Sequence, residues 1–205
     1  MAKPPRCRTH TPRRMRFPCT QRGVRAAVCL LALVLACCGL CDAQATQPDI
    51  SLEYAVKATY LYKLAPFVDW PPNAFGSADA PFAICIVGED PFKGFLERAV
   101  AGRSVGAHPF VVRKLDALTA STDCRIAFIG HLRAQTLNDA LATVQGQPVL
   151  TVTDSNIGAH TGSIIQFVID RGRVRFDIDV EAAARNHLSI SSKLLNLATT
   201  VKDNG

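Results

Sequence analysis

From position 51 onward, the apolar residues recur with the periods of helices and strands. The segment 51–68 (SLEYAVKATYLYKLAPFV) has apolar residues at spacings of three and four, which predicts an amphipathic helix. Its predicted core-facing stripe consists of Leu52, Val56, Tyr60, Leu64 and Phe67. The WPP run at 70–72 predicts the end of this helix, because a proline disfavours helical conformation in the residue before it.

Four predominantly apolar runs follow, and each predicts a strand of a covered sheet. They are FAICIVG (82–88), HPFVVRKL (108–115), CRIAFIG (124–130) and PVLTVTD (148–154). Between them, 89–100 predicts a helix with Asp90 as N-cap and Pro91 in its first turn, and 133–145 predicts another helix. Strands that alternate with helices indicate a largely parallel sheet with helices on both faces.

The last part of the chain predicts antiparallel pairing. The runs GSIIQFVI (162–169) and RVRFDIDV (173–180) flank the turn sequence DRGR, which predicts a β-hairpin. Two short helical stretches follow, EAAARNHL (181–188) and SSKLLNLATTV (191–201). The predicted fold is a single α/β domain with a mixed, largely parallel sheet, helices on both faces, and a C-terminal β-hairpin followed by helices.

The first 45 residues predict a secretory signal peptide. Basic residues precede the apolar run VCLLALVLACCGL (28–40), and Ala43-Gln44-Ala45 forms a cleavage site. The run is shorter than the roughly 20 residues that span a membrane comfortably. Met15 is an alternative start, and cleavage before Cys37 is an alternative that would leave a lipid-anchored protein. The prediction is an exported, soluble domain of residues 46–205.

Removal of the predicted leader on export changes the net charge of the chain. The whole chain has 23 Lys and Arg against 17 Asp and Glu, a net charge of +6. The leader takes 8 of the basic residues and 1 acidic residue (Asp42), which leaves 15 against 16 and a net charge of −1. A nucleic-acid partner is not expected, because such binding relies on Lys and Arg against phosphate.

Cysteine usage changes in the same way. Six of the 8 cysteines lie in the leader, and Cys85 and Cys124 remain. An even pair in an oxidising compartment predicts a disulfide, with two buried free thiols as the alternative. The loop of about 40 residues would contribute about 4 kcal/mol in the chain-entropy model, and measured values are often lower. Neither cysteine has a second ligand at zinc-site spacing, so no metal site is predicted.

The acidic run near the C-terminus is a candidate for metal or acid–base chemistry. It contains Asp177, Asp179 and Glu181, and His187 follows. However, Asp179 stands where a helix N-cap belongs, and Glu181 stands in the first turn, where a negative charge suits the helix dipole. Helical spacing does not bring His187 to these carboxylates. We interpret the run as a strand followed by a capped helix.

Other motifs predict no catalytic residue, metal ligand or cofactor. The run SISSKLL lacks the S-x-x-K signature, because Ile190 lies three residues before Lys193. The glycine-containing stretches 102–108 and 158–163 precede strands, whereas a phosphate-binding loop opens a helix. Glu89 and Asp90 follow a strand at the end where α/β folds often bind ligands. They are the candidates for contact with a small ligand, and capping is their alternative role.

Three segments together resemble the YfiR family. They are YAVKATYLYKLAPFVDWP (54–71), ICIVGEDPF (84–92) and GSIIQFVIDRGRVRFDIDVEAAARNHLSISSKLLNLA (162–198). Cys85 and Cys124 also match the positions of a family disulfide. The resemblance covers nearly all of the predicted mature chain. Its C-terminal block is the most specific part, because the hairpin and the ISSKLL ending match in order.

The resemblance implies a non-enzymatic periplasmic regulator, commonly a homodimer. Such proteins repress an inner-membrane diguanylate cyclase by binding its periplasmic sensor domain, and an outer-membrane lipoprotein relieves this repression. The output is the level of cyclic di-GMP, and through it biofilm formation. Other members accompany sensor kinases or outer-membrane receptors, so a small-ligand-binding accessory protein is the alternative.

The sequence departs from the family pattern in several places. The run 176–179 reads Phe-Asp-Ile-Asp where the family often has Phe-Glu-Ile-Asn, and Asp179 keeps the helix cap. Some members have a second disulfide where this chain has Ala159 and Gln166, which puts redox switching of that loop in doubt. His187 stands where the family often has glycine, and this predicts an ordinary backbone conformation at that position.

Overall fold

The computed structural model describes residues 48–154 and 161–203, with side chains from Leu52 onward. The predicted leader, with Met15, Cys37 and the cleavage site, and Ala159 lie outside the described residues. The α-helices of the described part are α1 (Pro48–Leu64), α2 (Phe95–Val100), α3 (Leu137–Thr143), α4 (Val180–Arg185) and α5 (Ser192–Leu195). Its strands are β1 (Val68–Asp69), β2 (Phe82–Val87), β3 (Ser104–Val105), β4 (His108–Leu115), β5 (Ile126–Ile129), β6 (Leu150–Asp154), β7 (Ile165–Asp170), β8 (Arg173–Asp179), β9 (Ser189–Ile190) and β10 (Val201–Lys202).

Eight of the described strands form one sheet in the order β10-β8-β7-β6-β5-β2-β4-β3. Neighbours are parallel from β4 through β2, β5 and β6 to β7, and the β7–β8 hairpin is antiparallel. Strand β3 pairs antiparallel with β4 at one edge, and β10 pairs parallel with β8 at the other. Strands β1 and β9 pair separately. The predicted α/β fold with a mixed, largely parallel sheet is confirmed.

Alternation along the strands divides the core into two faces. In β2, Ile84 and Ile86 pack on the side of α1 and α2, whereas Cys85 and Val87 pack on the side of α3. Cys85 and Cys124 form a disulfide on this second side, with their Cα atoms 5.9 Å apart. Helices therefore cover both faces, and the disulfide joins β2 to Cys124, two residues before β5.

Helix α1 differs from its prediction in its end and in its buried side. It ends at Leu64, and a 3-10 turn (Ala65–Phe67) follows, because Pro66 has no N–H to continue the helical hydrogen bonds. The buried side consists of Lys57, Ala58, Leu61, Leu64 and Ala65. Leu52 and Val56, which belonged to the predicted stripe, are exposed. Leu64 is buried as predicted, and Tyr60 and Phe67 pack against the core. Helix α1 thus carries apolar residues on two sides, and the prediction of a core position was wrong for Leu52 and Val56.

Two turns next to the sheet show how local chemistry shapes the chain. Asp90 is not the N-cap of α2, which begins after Gly94, a residue with a φ of 84°. The Asp90 carboxylate instead accepts a hydrogen bond from the Phe92 N–H at 2.8 Å within the preceding turn. In the hairpin, Arg171 and Gly172 have φ values of 49° and 71°. Two positive φ values match the turn that the twist of a tight hairpin favours.

The C-terminal helices are capped by side chains and by backbone geometry. Asp179 is the N-cap of α4 and accepts a hydrogen bond from the Ala182 N–H at 2.7 Å. The expectation of an ordinary backbone at His187 was wrong, because its φ is 56°. The N–H groups of His187 and Leu188 bond the carbonyls of Ala184 and Ala183, each at 2.9 Å. This is a Schellman ending, which requires a left-handed residue.

Candidate functional site

The carboxyl ends of β2, β5 and β6 form a crevice at a point where the strand order reverses. From β2 the chain continues to β4 on one side, and it then returns to β5 on the other side of β2. Open α/β sheets bind ligands at such points. The crevice has a volume of about 610 Å³ and is lined by Tyr54, Glu89, Asp90, Pro91, Lys93, Phe128, Gly130, His131 and Asp154. We call it the carboxyl-edge crevice.

Two glycines allow the loops at the floor of this crevice to cross closely. A Cβ atom at Gly88 would lie 2.4 Å from the carbonyl oxygen of His131, and one at Gly130 would lie 2.5 Å from that of Glu89. The Glu89 N–H donates to the His131 carbonyl at 3.0 Å, and the Gly130 N–H donates to the Val87 carbonyl at 2.9 Å. The floor is therefore rigid backbone that only glycine permits.

One wall of the crevice contains a buried ion-pair network. The ammonium group of Lys57, which is fully buried, lies 2.5 Å from Oδ2 of Asp154 and also pairs with Glu53 one turn earlier on α1. The Tyr54 hydroxyl donates to the same Asp154 oxygen at 3.0 Å. Because a buried charge is costly unless paired, this network fixes the start of α1 against the end of β6.

The two predicted ligand contacts, Glu89 and Asp90, both line the crevice. Glu89 forms an ion pair with Arg133, and Asp90 lies 2.6 Å from the Lys114 ammonium. Hydrogen bonds to Asp90 and then to Glu97 raise the pKa of Lys114. The structure thus places both carboxylates at the mouth of the crevice, already paired with basic side chains of this chain.

A second surface lies between α1 and the hairpin, and its character is apolar. Leu52, Val56 and Tyr60 of α1 face Ile169 and Val174 of the hairpin across a groove of about 440 Å³. Glu53, Arg173 and Arg175 also line this groove. Leu52 is 64% exposed and Ile169 is 46% exposed, although both are large apolar residues. We call this surface the α1–hairpin groove.

The exposure of this groove follows from the length of the hairpin. Phe167 pairs with Phe176 across β7 and β8, and both are buried beneath Tyr60 of α1. Ile169 and Val174 form the next pair on the same face. Val174 is half-buried against the core, whereas Ile169 lies past the residues that α1 covers and continues the core surface into solvent.

The acidic run does not converge on one point. Asp177 and Asp179 line a separate cavity of about 440 Å³ with Lys202, whose ammonium lies 3.2 Å from Asp179. Glu181 instead lies 3.8 Å from Arg185 along α4, and His187 ends that helix. Within residues 48–154 and 161–203, no group of three or more His, Cys, Asp or Glu residues could hold a metal ion.

Sequence reasoning missed the Lys57, Tyr54 and Asp154 network. Asp154 ended a predicted strand, and Lys57 stood beside the predicted apolar stripe of α1 rather than on it. One signal was present, because Lys57 lies at helical spacing from Leu61 and Leu64, four and seven residues later. A lysine within such a stripe indicates a buried charge that needs an acidic partner. Its partner, 97 residues away, has no local signal.

Comparison with known proteins supports the resemblance in the sequence. A family model described as YfiR/HmsC-like matches residues 54–199, which include the crevice, the disulfide and all of the groove except Leu52 and Glu53. Among the described residues, no helix combines the length and apolar character needed to cross a bilayer. The match covers well over half of the chain, so this protein belongs to the YfiR/HmsC-like family.

Proposed function

We propose that this chain is a non-enzymatic periplasmic regulator that binds the periplasmic sensor domain of an inner-membrane diguanylate cyclase. Binding represses the cyclase and lowers the level of cyclic di-GMP. The observation that carries the proposal is the α1–hairpin groove in a member of this family. Exposed apolar residues that are rimmed by charges are typical of a protein–protein interface. The export signal, still a prediction, supports the proposed compartment.

Deletion of the gene in its host tests this function. Cyclic di-GMP, quantified by mass spectrometry of nucleotide extracts, should rise several-fold, and the wild-type gene should restore its level. An Ile169→Asp variant should fail to restore it, because a carboxylate in the apolar groove would oppose docking. A Val201→Asp variant is the matched control, because Val201 is also exposed and apolar but lies outside the groove.

The amounts of both variants in periplasmic extracts must equal that of the wild type, which an immunoblot measures. A cyclic di-GMP level that does not change on deletion would contradict the proposed function. Two further partners belong to the same proposal. An outer-membrane lipoprotein relieves the repression, and the regulator forms a homodimer, which light scattering of the purified protein tests.

The alternative function is that of a small-ligand-binding accessory protein for a sensor kinase or an outer-membrane receptor. The carboxyl-edge crevice favours it, because it lies at a strand-order reversal and has Glu89 and Asp90 among its lining residues. A ligand that binds the folded state raises the midpoint of thermal unfolding. A metabolite screen should then find a compound whose shift is lost in an Asp90→Ala variant but retained in an Asp170→Ala variant. A screen without such a compound would remove this alternative.

A further inference from the structure

We infer that the α1–hairpin groove binds a segment of a partner protein in which apolar side chains stand next to carboxylates. The inference deepens the proposed function, on which it rests, because it names the face and the chemistry of the segment that docks there. The groove has apolar residues at its floor and arginines at its rim, and this combination indicates a partner with apolar and acidic side chains.

The floor of the groove is apolar surface for which the described part of the chain provides no cover. Helix α1 buries one side against the sheet and presents Leu52 and Val56 on the other. A helix that is apolar on both sides normally has a partner on each. Because Ile169 and Val174 of the hairpin continue this surface, the apolar patch spans two elements of the fold.

The rim of the groove is positively charged. Arg173 and Arg175 line it. Arg171 at the hairpin tip lies outside the lining, and its guanidinium is 4.0 Å from the Asp170 carboxylate. Glu53 is the one acidic residue among the described lining residues, and its carboxylate already pairs with buried Lys57. Among the described lining residues, Arg173 and Arg175 therefore supply the charge that a partner meets. Arginine forms bidentate hydrogen bonds with carboxylates, which fixes the register of the docked segment.

This charge pattern argues against a second copy of the chain as the occupant. A two-fold symmetric contact would bring the same patch of both copies together. The lining residues of one copy would then offer the arginines of the other no carboxylate except Glu53, which already pairs with Lys57, and unbalanced positive charge across an interface is unfavourable. The concave shape of the groove also suits a helix or strand with projecting side chains better than it suits a flat lipid surface.

Photo-crosslinking in the host periplasm tests the inference. A photoreactive amino acid replaces Ile169 in the full-length exported protein, and a second strain carries it at Val201 as the control outside the groove. Crosslinked peptides are sequenced by mass spectrometry. The Ile169 probe should attach to a segment of an inner-membrane protein that has Asp or Glu within a few positions of apolar residues. The Val201 probe should not attach to this segment.

Charge reversal in the same strain tests the role of the arginines. Arg173→Glu with Arg175→Glu should lower the yield of the Ile169 crosslink at least tenfold. Arg98→Glu with Lys193→Glu makes the same change in net charge at exposed residues outside the groove and should leave the yield unchanged. Equal yields after both reversals, or attachment to a second copy, a lipid or a basic segment, would overturn the inference.

Cyclic di-GMP measurements distinguish failure of the proposed groove interface from failure of the proposed function. If deletion raises cyclic di-GMP but the Ile169 probe captures nothing, the proposed function stands and the groove is not its interface. If the acidic segment is captured but deletion leaves cyclic di-GMP unchanged, the groove is an interface and the regulated output is a different one.

Discussion

The carboxyl-edge crevice and the α1–hairpin groove share helix α1, but they meet the solvent in opposite ways. In the crevice, Lys57 and Tyr54 bond to Asp154, so the polar groups of its wall are paired within the chain. In the groove, Leu52 and Ile169 remain largely in water. The polar groups of the crevice wall are already bonded within the chain. The apolar side chains of the groove would gain free energy of burial only when a partner covers them.

The two surfaces also differ in the free energy that each can contribute to binding. Complete burial of a leucine or isoleucine side chain is worth about 1.5–3 kcal/mol. Two or three such residues can therefore supply much of the free energy of a specific contact once the cost of association has been met. A charge pair that is already satisfied supplies little when a ligand arrives. We therefore assign protein binding to the groove and structural support to the wall of the crevice.

The largest expected effect concerns the buried lysine. A Lys57→Met variant leaves Asp154 buried without its cation, and breaking such a pair costs about 3–5 kcal/mol of unfolding free energy. Lys114→Met removes an exposed lysine that pairs with Asp90 and Glu97, and because exposed ion pairs contribute little to stability, its loss should be much smaller. Urea unfolding followed by circular dichroism measures both. Equal losses would show that the Lys57 network does not support the wall of the crevice.

The disulfide should have the next largest effect. Cys85 lies in β2 and Cys124 precedes β5, and the ends of these two strands form the crevice. Replacing both cysteines with alanine should lower the free energy of unfolding by about 2–4 kcal/mol. Reduction of the wild type should produce a similar loss. Labelling of two free thiols in the exported, unreduced and denatured protein would contradict the presence of this bond.

Two glycine-to-alanine substitutions compare the stability cost at the crevice floor with the cost at the β7–β8 hairpin turn. Gly88 and Gly172 both have positive φ values, but only the Gly88 position is crowded by a backbone carbonyl. Gly172→Ala should cost about 1 kcal/mol through backbone strain alone. Gly88→Ala should cost about 2–3 kcal/mol, because it adds overpacking to the strain. Thermal unfolding of the two variants measures the difference, and equal midpoints would show that the loop crossing is not tight.

The smallest expected effect belongs to the groove. Ile169→Thr and Val56→Ala change exposed side chains, so each should alter the free energy of unfolding by no more than about 0.5 kcal/mol. The same urea experiment measures these values. A loss above 2 kcal/mol for either variant would mean that the groove is covered in the isolated protein and is part of its core.

The fold was largely predictable because its elements have strong local signals. The β4 bounds agree with the prediction at both ends, and β2 differs by one residue. The DRGR turn and the Asp179 cap act over a few residues, so their chemistry is visible in the sequence. The two-residue strand β10 was missed, because its pairing with β8 depends on a neighbour 23 residues earlier in the chain.

The candidate sites were less predictable for the same reason. Glu89 and Asp90 were placed at the crevice because both follow a strand directly. Lys57 was missed because its partner Asp154 is 97 residues away, and no local pattern connects them. Pro66, which ends α1, was passed over in favour of the WPP run, because the predicted apolar stripe continued to Phe67.

The sequence by itself determined the order of the longer strands and helices, the hairpin turn, the α4 cap and the one cysteine pair outside the predicted leader, because each depends on residues close together or on simple counting. Only the tertiary structure decided which side of α1 is buried and which side forms the groove. Helical periodicity sets the angles between side chains on one helix but does not say which angle meets the sheet. That choice depends on Asp154 and the β7–β8 hairpin, about a hundred residues later, and on how far the hairpin extends past the helix.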